Sequence, residues 1–438
     1  MDFLKHIAFP QSLDHQGLIH LTLNIVYALF VPYTSVLFLA AIIAYAYERA
    51  GMRTGNGHYA RFARELTESV IPTKNTILLF GILPFLAVFL AYAQLLQNTD
   101  TVAVALFFFS FLFFIGAAFS LYTYRYTFRL GEILTIASEA GENEEIDAYA
   151  RENLRLHARS GLWGIVLFTC SQFIFELGAA ASTSPSKVTT FWEAVFSAEA
   201  YVRMGQALSF AGVVTGAAIL YLFFVGRKSG ESDYTRFVRQ FAIRLSFISA
   251  LIVPLFMLFV LAALPATGLT NSVFGVTALV LVMIFAAGHL FYAMLRNFSP
   301  RLAANAFFLL VIALDLAVIK DQIAFAAATR HEAVRLDERY TKEQEDLMAR
   351  LGIGAKAVTG EEIFTGKCSA CHTFTEKKVG PPYKETLPKY EGKRDELVAF
   401  ILNPRKMNPA YPPMPNQGLK PAEADSIAAY IMKTYKEK

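Results

Sequence analysis

The chain has 438 residues, of which 55% are hydrophobic and 17% are charged, whereas a typical soluble domain is about 25% charged. This composition excludes an ordinary soluble globule and indicates a membrane protein. The net charge of +4 is too small to indicate nucleic-acid binding, so no nucleic acid is expected among the partners. The three cysteines do not predict a disulfide framework, because two of them form one motif and Cys170 lies in an apolar run.

Eight segments have about the 20 apolar residues that a helix needs to cross a bilayer. They lie at about 18–47, 75–97, 102–124, 161–183, 203–226, 244–265, 272–295 and 302–324. Only Lys5 among the Lys and Arg residues precedes the first segment, so we expect a retained helix and not a cleaved signal peptide. The pattern predicts that residues 1–325 form an all-α, eight-helix transmembrane bundle surrounded by membrane lipid.

The charges of the loops predict the orientation of this bundle. Four alternate loops carry 17 Lys and Arg residues in total, whereas the opposite side offers Lys5 and Lys187, with Arg203 at a helix edge. Because basic loops stay in the cytoplasm, both termini are expected outside it. An even number of spans also requires both termini on one side. We therefore expect a multi-pass protein of the bacterial inner membrane whose C-terminal residues are periplasmic.

The residues after the last span differ in character from the spans. Glu332 to Arg350 is rich in charged residues and contains no Gly or Pro, so residues 326–355 are predicted to be a helical extension and linker. Three glycines then indicate a hinge: Gly352, Gly354 and Gly360. Residues 356–438 have the length of a single small soluble fold.

One short motif in this last segment carries specific chemistry. Cys368-Ser369-Ala370-Cys371-His372 is the attachment sequence of c-type haem. Two thiols at this spacing can add to the two vinyl groups of one haem, and His372 can ligate the iron. A zinc site is the alternative, but it would require two further Cys or His ligands, and none follows in the sequence. The motif predicts one covalent haem c.

Around this motif the segment resembles the class I cytochromes c over most of 356–438. The similarity lies in Glu361 to Phe364, Gly380-Pro381-Pro382, Tyr411 to Pro415 and Ala422 to Tyr435. The resemblance implies a small all-α domain with His372 and Met414 as axial ligands. It also implies that Gly380 and Pro381 lie against the proximal histidine.

Met407 competes with Met414 as the distal ligand, because it lies only seven residues earlier in the chain. Prolines on both sides of Met414 favour it, since they stiffen the loop that must hold sulfur on iron. A Met/His ligand pair raises the reduction potential. Six-coordinate iron has no free position for a substrate, so the domain is expected to transfer electrons without bond chemistry.

The C-terminal domain is also basic, with 14 Lys and Arg residues against 10 Asp and Glu residues. Four lysines lie near the haem motif in the sequence: Lys367, Lys377, Lys378 and Lys384. They have two interpretations. They form a solvated face, or they form a docking surface for an acidic redox partner.

Few residues within the spans could bind a second redox centre. Of eight histidines, only His289 lies well within a span, and a lone intramembrane histidine is more often a hydrogen-bonded core residue than a ligand. Haem b is therefore the less favoured alternative.

The charged residues of the spans are expected to pair or to line a proton path or quinone contact. Glu176 and Arg203 are placed to pair, whereas Asp315 and Lys320 lie about 140° apart on one helix.

A second resemblance concerns the membrane part. Residues 29–34, 53–56 and 59–64 are similar to the start of cytochrome bd oxidase subunit I. In that family, haem b histidines would fall near Tyr27 and Gln206, so the resemblance implies a bd-like scaffold whose haem b ligands are lost. The family's long quinol-binding loop is also missing, because only residues 265–271 join the sixth and seventh spans.

The leading hypothesis is an electron-transfer subunit of a bd-like respiratory complex, rather than a self-contained enzyme. Its expected partners are another membrane cytochrome or oxidoreductase subunit and a periplasmic electron carrier. One alternative is a catalytic quinol or oxygen oxidoreductase that binds its own b haems. Another is a transporter or sensor fused to a cytochrome, although the spans lack matched broken pairs.

Overall fold

The computed structural model describes residues 10–71, 73–139, 144–226, 232–351 and 359–437. The chain divides into two compact units, Met1–Tyr340 and Thr341–Lys438, which we call the membrane unit and the tail unit. Lys5, Gly352 and Gly354, and with them most of the predicted hinge, lie outside the described residues. The domain boundaries at 325/326 and 355/356 stay predictions.

Every regular element in the described residues is helical, which confirms the all-α prediction. The helices that begin in the membrane unit are α1 (Leu13–Thr54), α2 (Gly57–Val70), α3 (Lys74–Leu95), α4 (Ala103–Glu139), α5 (Glu144–Thr183), α6 (Phe191–Val195), α7 (Ala198–Phe224), α8 (Asp233–Ala263), α9 (Asn271–Arg296), α10 (Pro300–Ala328) and α11 (Arg330–Arg350). Eight of them are long and apolar enough to cross a membrane, namely α1, α3, α4, α5 and α7 to α10. The predicted number of spans is therefore confirmed, and the chain is a multi-pass membrane protein.

Several spans continue beyond their apolar stretches. Helix α1 begins after Ser12, whose side chain accepts a hydrogen bond from the His15 amide, and ends at Gly55 in the left-handed conformation. Pro32 lies within this helix. Because capping residues and not hydrophobicity end a helix, α1 is longer than the predicted span.

The apolar core of the membrane unit forms two main clusters. One cluster is formed mainly by α7, α8, α9 and α10, and the other is formed mainly by α3, α4 and α5. Helix α1 contributes to both. Glycines permit close packing where helices cross. A Cβ atom on Gly216 of α7 would lie 2.7 Å from the Ala242 carbonyl oxygen and 3.0 Å from the Ser246 nitrogen of α8.

A buried polar cluster joins α1, α4 and α5. The Tyr124 hydroxyl donates to Glu48 Oε2 at 2.6 Å, and His157 Nε2 lies 2.8 Å from Glu48 Oε1. His157 Nδ1 lies 2.8 Å from the Thr127 hydroxyl, which itself donates to a helix carbonyl. Thr127 therefore accepts from Nδ1–H, and one further proton is shared between His157 Nε2 and Glu48.

Two expectations about the spans are wrong. His289 is exposed on α9, and its Nδ1 lies 3.3 Å from the Phe285 carbonyl oxygen, so it is not a core residue. The described residues contain no ion pair between Glu176 and Arg203. Arg203 bonds Glu199 on its own helix at 2.8 Å and lies 3.7 Å from Asp321 of α10, because these carboxylates are nearer.

The tail unit is built from the last part of α11 and four short helices around a small core. They are α12 (Gly360–Ile363), which continues as a π turn to Cys368, α13 (Tyr383–Thr386), α14 (Arg394–Leu402) and α15 (Pro421–Glu437). Helix α12 begins with a capping box formed by Thr359 and Glu362. Ile363 packs with Ile427 and Ile431 of α15 in the buried core. Because α12 continues as a π turn to Cys368, its packing on α15 fixes the start of the motif 368–372.

Candidate haem-binding site

The cysteine motif begins where the first helix of the tail unit ends. The π turn ends at Cys368, and the Cys371 and His372 amides both donate to the Cys368 carbonyl, at 3.1 and 2.9 Å. The two cysteines are not joined in a disulfide. Burial raises the pKa of the Cys368 thiol, which is therefore protonated at neutral pH. Both thiols remain available to form thioether bonds.

Two contacts fix the orientation of the His372 ring. Nδ1 lies 3.0 Å from the Pro381 carbonyl oxygen, which can only accept, so Nδ1 carries the hydrogen. Nε2 is left with its lone pair free, as a metal ligand requires. The ring also stacks on Tyr383, with centroids 5.0 Å apart and an angle of 7° between the planes.

Gly380 lies directly against the same ring. Its amide donates to the Cys371 carbonyl at 2.8 Å, and a Cβ atom would lie 2.8 Å from His372 Nδ1 and 2.9 Å from Nε2. A side chain at this position would therefore displace the histidine. This close approach is the local reason for a glycine before Pro381.

The motif opens onto a cavity of about 360 Å³ that reaches the core of the tail unit. Cys368, His372, Pro381 and Met414 line this cavity, and they also line a smaller adjoining one of about 80 Å³, which Cys371 and Gly380 line too. Apolar side chains from α14, α15 and the turn after α13 complete the larger wall: Leu387, Leu397, Phe400, Ile401, Ile427 and Ile431.

These features fit a haem. Two thiols, an oriented imidazole and a thioether meet at one apolar cavity, and this donor set matches Met/His haem ligation with covalent attachment. Met407 also lines the larger cavity, but 55% of its surface is exposed to solvent. Met414 is half-buried and lines both cavities, so it is the better placed of the two. The ligand assignment to His372 and Met414 stays a prediction.

Sequence reasoning missed Tyr383, which lies two residues after Pro381 and packs on His372. It also missed Tyr390 and Leu387, which come to the cavity through the turn between α13 and α14. Aromatic residues close behind the Gly-Pro-Pro sequence were the available signal for Tyr383. The four lysines near the motif are exposed, although Lys378 donates to the Ser369 carbonyl at 2.7 Å.

Comparisons with known proteins cover both units. Residues 357–434 match the cytochrome c family. Cytochrome c-551 of Azotobacter vinelandii is 37% identical over 78 residues, which are 17% of this chain and 95% of that protein. Cytochrome c-552 of Hydrogenobacter thermophilus is 32% identical over 90 residues, which are 20% of this chain and 92% of that protein.

Among solved structures, the bd oxidase of Geobacillus thermodenitrificans aligns with 72% of this chain and 87% of its own, with a TM-score of 0.46 and 13% identity. At that level of similarity the likeness supports no functional inference. The similarity to the small cytochromes is much higher, because it extends over more than 90% of their length at more than 30% identity. It confirms the predicted cytochrome c tail. Through its tail unit the chain belongs to the cytochrome c family, whose domain implies haem c and electron transfer.

Proposed function

We propose that the protein is a membrane-anchored monohaem cytochrome c that serves as a subunit of a respiratory membrane complex. It exchanges electrons between a haem-bearing membrane partner and a periplasmic carrier. The observation that carries this proposal is the combination of one motif, Cys368 to His372, with eight potential spans in the same chain. A soluble cytochrome would need no such unit.

The residues of the tail unit have distinct tasks in this function. Haem c, when bound, supplies an iron that gains and loses one electron. Cys368 and Cys371 would tether the group. The Pro381 carbonyl and Tyr383 hold the His372 ring so that Nε2 can serve as a ligand to the iron. Met414 is proposed as the distal ligand. The apolar wall around these groups excludes water, which lowers the reorganisation that accompanies electron transfer.

The loop charges support a periplasmic position for the haem. The 17 basic residues in alternate loops favour a cytoplasmic position for those loops. Haem attachment on the outer face of the membrane agrees with this orientation. The exposed lysines near the motif support docking of an acidic carrier, whose association rate would fall as ionic strength rises.

A membrane partner is proposed because the spans offer few haem ligands of their own. Tyr27 and Gln206 occupy the positions at which the bd-like resemblance would place histidines. His289 is exposed on α9 and faces away from the core. An electron that leaves the tail haem toward the membrane would therefore pass to a haem on another subunit.

Two measurements test the proposal. A pyridine haemochrome assay on the purified chain should give one haem c per chain and no haem b. Affinity purification from native membranes should recover a second membrane cytochrome. A stable haem b in the isolated chain would favour the alternative of a catalytic oxidoreductase. An isolated chain that oxidises quinol or reduces oxygen without a partner would also contradict the proposal.

A further inference from the structure

A cavity of about 120 Å³ lies within the membrane unit. Helices α1, α3, α4, α5, α7 and α10 surround it, and nine aromatic side chains contribute to its wall. Its polar lining includes Glu176, Arg203, Gln206, Asp321 and Gln322. None of them has a role in the electron-transfer function proposed for the tail.

Four buried polar atoms of cavity-lining residues have no hydrogen-bond partner among the described residues. One is Asp321 Oδ1, which lies 2.8 Å from Lys320 Nζ in an ion pair. The other three are Arg203 Nη2, Gln206 Oε1 and Gln322 Oε1, in residues that are 5%, 7% and 5% exposed. A buried polar group without a partner is costly, so the partners come from the contents of the cavity. A water molecule needs about 10–15 Å³ of cavity volume. A cavity of about 120 Å³ can therefore hold several water molecules.

The charges around the cavity do not balance. Arg203 lies 2.8 Å from Glu199 and 3.7 Å from Asp321, and Lys320 Nζ lies 2.8 Å from Asp321. These two cations face two carboxylates. Glu176 is a third carboxylate, and its bonded partner is the uncharged Gln172 amide at 2.8 Å.

An unpaired carboxylate buried in a membrane is costly, so a positive charge must neutralise the excess. A metal cation is disfavoured by the neighbouring Arg203 and Lys320. The described residues also hold no group of three His, Cys, Asp or Glu side chains suited to a metal ion. A proton on Glu176 neutralises the charge without either difficulty.

The other titratable groups near Glu176 do not alter this balance. Tyr27 of α1 and Tyr92 of α3 line the cavity, and their hydroxyls lie 3.4 Å apart. Gln322 donates to Tyr92 at 2.8 Å. His20 packs on the Phe325 ring, with centroids 5.7 Å apart. None of these groups is placed as a cationic partner for the carboxylate.

The polar residues of the cavity lie close to the ends of the helices that carry them. Glu176 lies seven residues before the end of α5 at Thr183, which corresponds to about 10 Å along the helix. Arg203 lies five residues after the start of α7, which corresponds to about 8 Å. Water and protons therefore need to cross only two turns of helix to reach the polar groups.

We propose that this cavity is a hydrated proton-binding chamber in which Glu176 is the exchangeable group. The carboxylate takes a proton from hydronium, which leaves water, and returns it in the reverse step. Arg203, Asp321 and Lys320 keep a fixed, internally paired set of charges beside it. The chain thus has a proton site in its membrane unit in addition to its electron site in the tail.

Infrared difference spectroscopy of the full chain in lipid vesicles tests this proposal. As the pH is lowered, the carbonyl band of a protonated carboxyl group should grow, and it should shift in D₂O because the chamber is hydrated. Glu176→Gln should remove this band, and Glu176→Asp should restore one at a shifted frequency. The thermal unfolding of the helical signal of each variant reports whether the membrane unit has folded.

Asp315→Asn is the matched control, because Asp315 is a second acid within a span that does not line the cavity. This variant should keep the band that Glu176→Gln removes. The proposal is overturned if the titrating band survives Glu176→Gln, or if no such band appears in the unmodified chain. A band that fails to shift in D₂O would refute the hydrated chamber.

Discussion

The two units achieve stability in different ways. In the membrane unit, helices pack directly on one another, and small residues such as Gly216 bring α7 against α8. In the tail unit, the core borders a cavity of about 360 Å³. A haem in this cavity would cover its apolar wall, and burial of apolar surface stabilises a fold.

We therefore expect the tail unit to depend on its haem for stability, whereas the membrane unit should not depend on that haem. The haem would then be part of the tail core as well as its redox centre. Changes at the cysteine motif should unfold one unit and spare the other. Changes at helix crossings of the membrane unit should do the reverse.

The largest expected effect is loss of the tail fold after removal of both thiols. In the variant Cys368→Ala, Cys371→Ala, covalent haem should be absent and the tail should become sensitive to protease, while the eight-helix fragment stays intact. Haem staining and limited proteolysis of membranes measure both outcomes. Cys170→Ala is the control and should behave as the unmodified chain. A protease-resistant tail without haem would break the comparison.

The second effect should be confined to the membrane unit. In Gly216→Val, the new side chain would meet the Ala242 carbonyl and the Ser246 amide, so we expect a loss of about 1–3 kcal/mol. The thermal unfolding temperature of the helical signal should fall, with an unchanged haem c spectrum. Gly275→Val is the matched control on α9, where a Cβ atom meets nothing within 4 Å.

The third effect concerns the distal ligand. Met414→Ala should abolish the weak charge-transfer absorption of sulfur on ferric haem and lower the reduction potential. Met407→Ala should leave both unchanged, because its residue is largely exposed. Absorption spectroscopy and potentiometric titration measure these changes. The reverse result for the two variants would assign the ligand to Met407.

A smaller effect is expected from the glycine beneath the proximal histidine. In Gly380→Ala, the added methyl group would press on the His372 ring and weaken its hydrogen bond to Pro381, at a cost of about 1–3 kcal/mol. Denaturant unfolding monitored at the haem absorption should show a lower midpoint. Gly366→Ala is the control, because a Cβ atom there meets nothing within 4 Å. Equal midpoints in the two variants would contradict this role.

The smallest effect is a pH dependence at the surface of the tail unit. Hydrogen bonds from Tyr435 and Lys436 lower the pKa of Glu391, which is fully exposed. A depressed folded-state pKa adds stability above the unfolded-state pKa, and this contribution is lost as the pH falls through the folded-state value. Glu391→Gln should therefore flatten the acid side of the stability curve slightly. An unchanged acid side of the curve in Glu391→Gln would contradict this role of the carboxylate.

Sequence patterns predicted the number of spans and the composition of the haem motif, because both depend on local features. They did not predict the ends of α1 or α4, since these helices continue beyond their apolar stretches into polar residues. The partners of Arg203 were also missed, because Asp321 comes from a helix more than 100 residues later. Tyr383 and the cavity wall likewise depend on how distant segments pack.

The Glu48–His157 cluster differs from Glu176 in one electrostatic respect. Because the Thr127 hydroxyl accepts from Nδ1–H, the contact between Nε2 and Glu48 Oε1 is a hydrogen bond with one proton between the two atoms. The net charge of the pair is zero whether that proton is on the imidazole or on the carboxyl. The cluster can therefore occupy a region of low dielectric constant without a counter-ion. The cluster links three helices through hydrogen bonds, and replacement of His157 alone would leave Glu48 with the Tyr124 hydroxyl but without its imidazole partner.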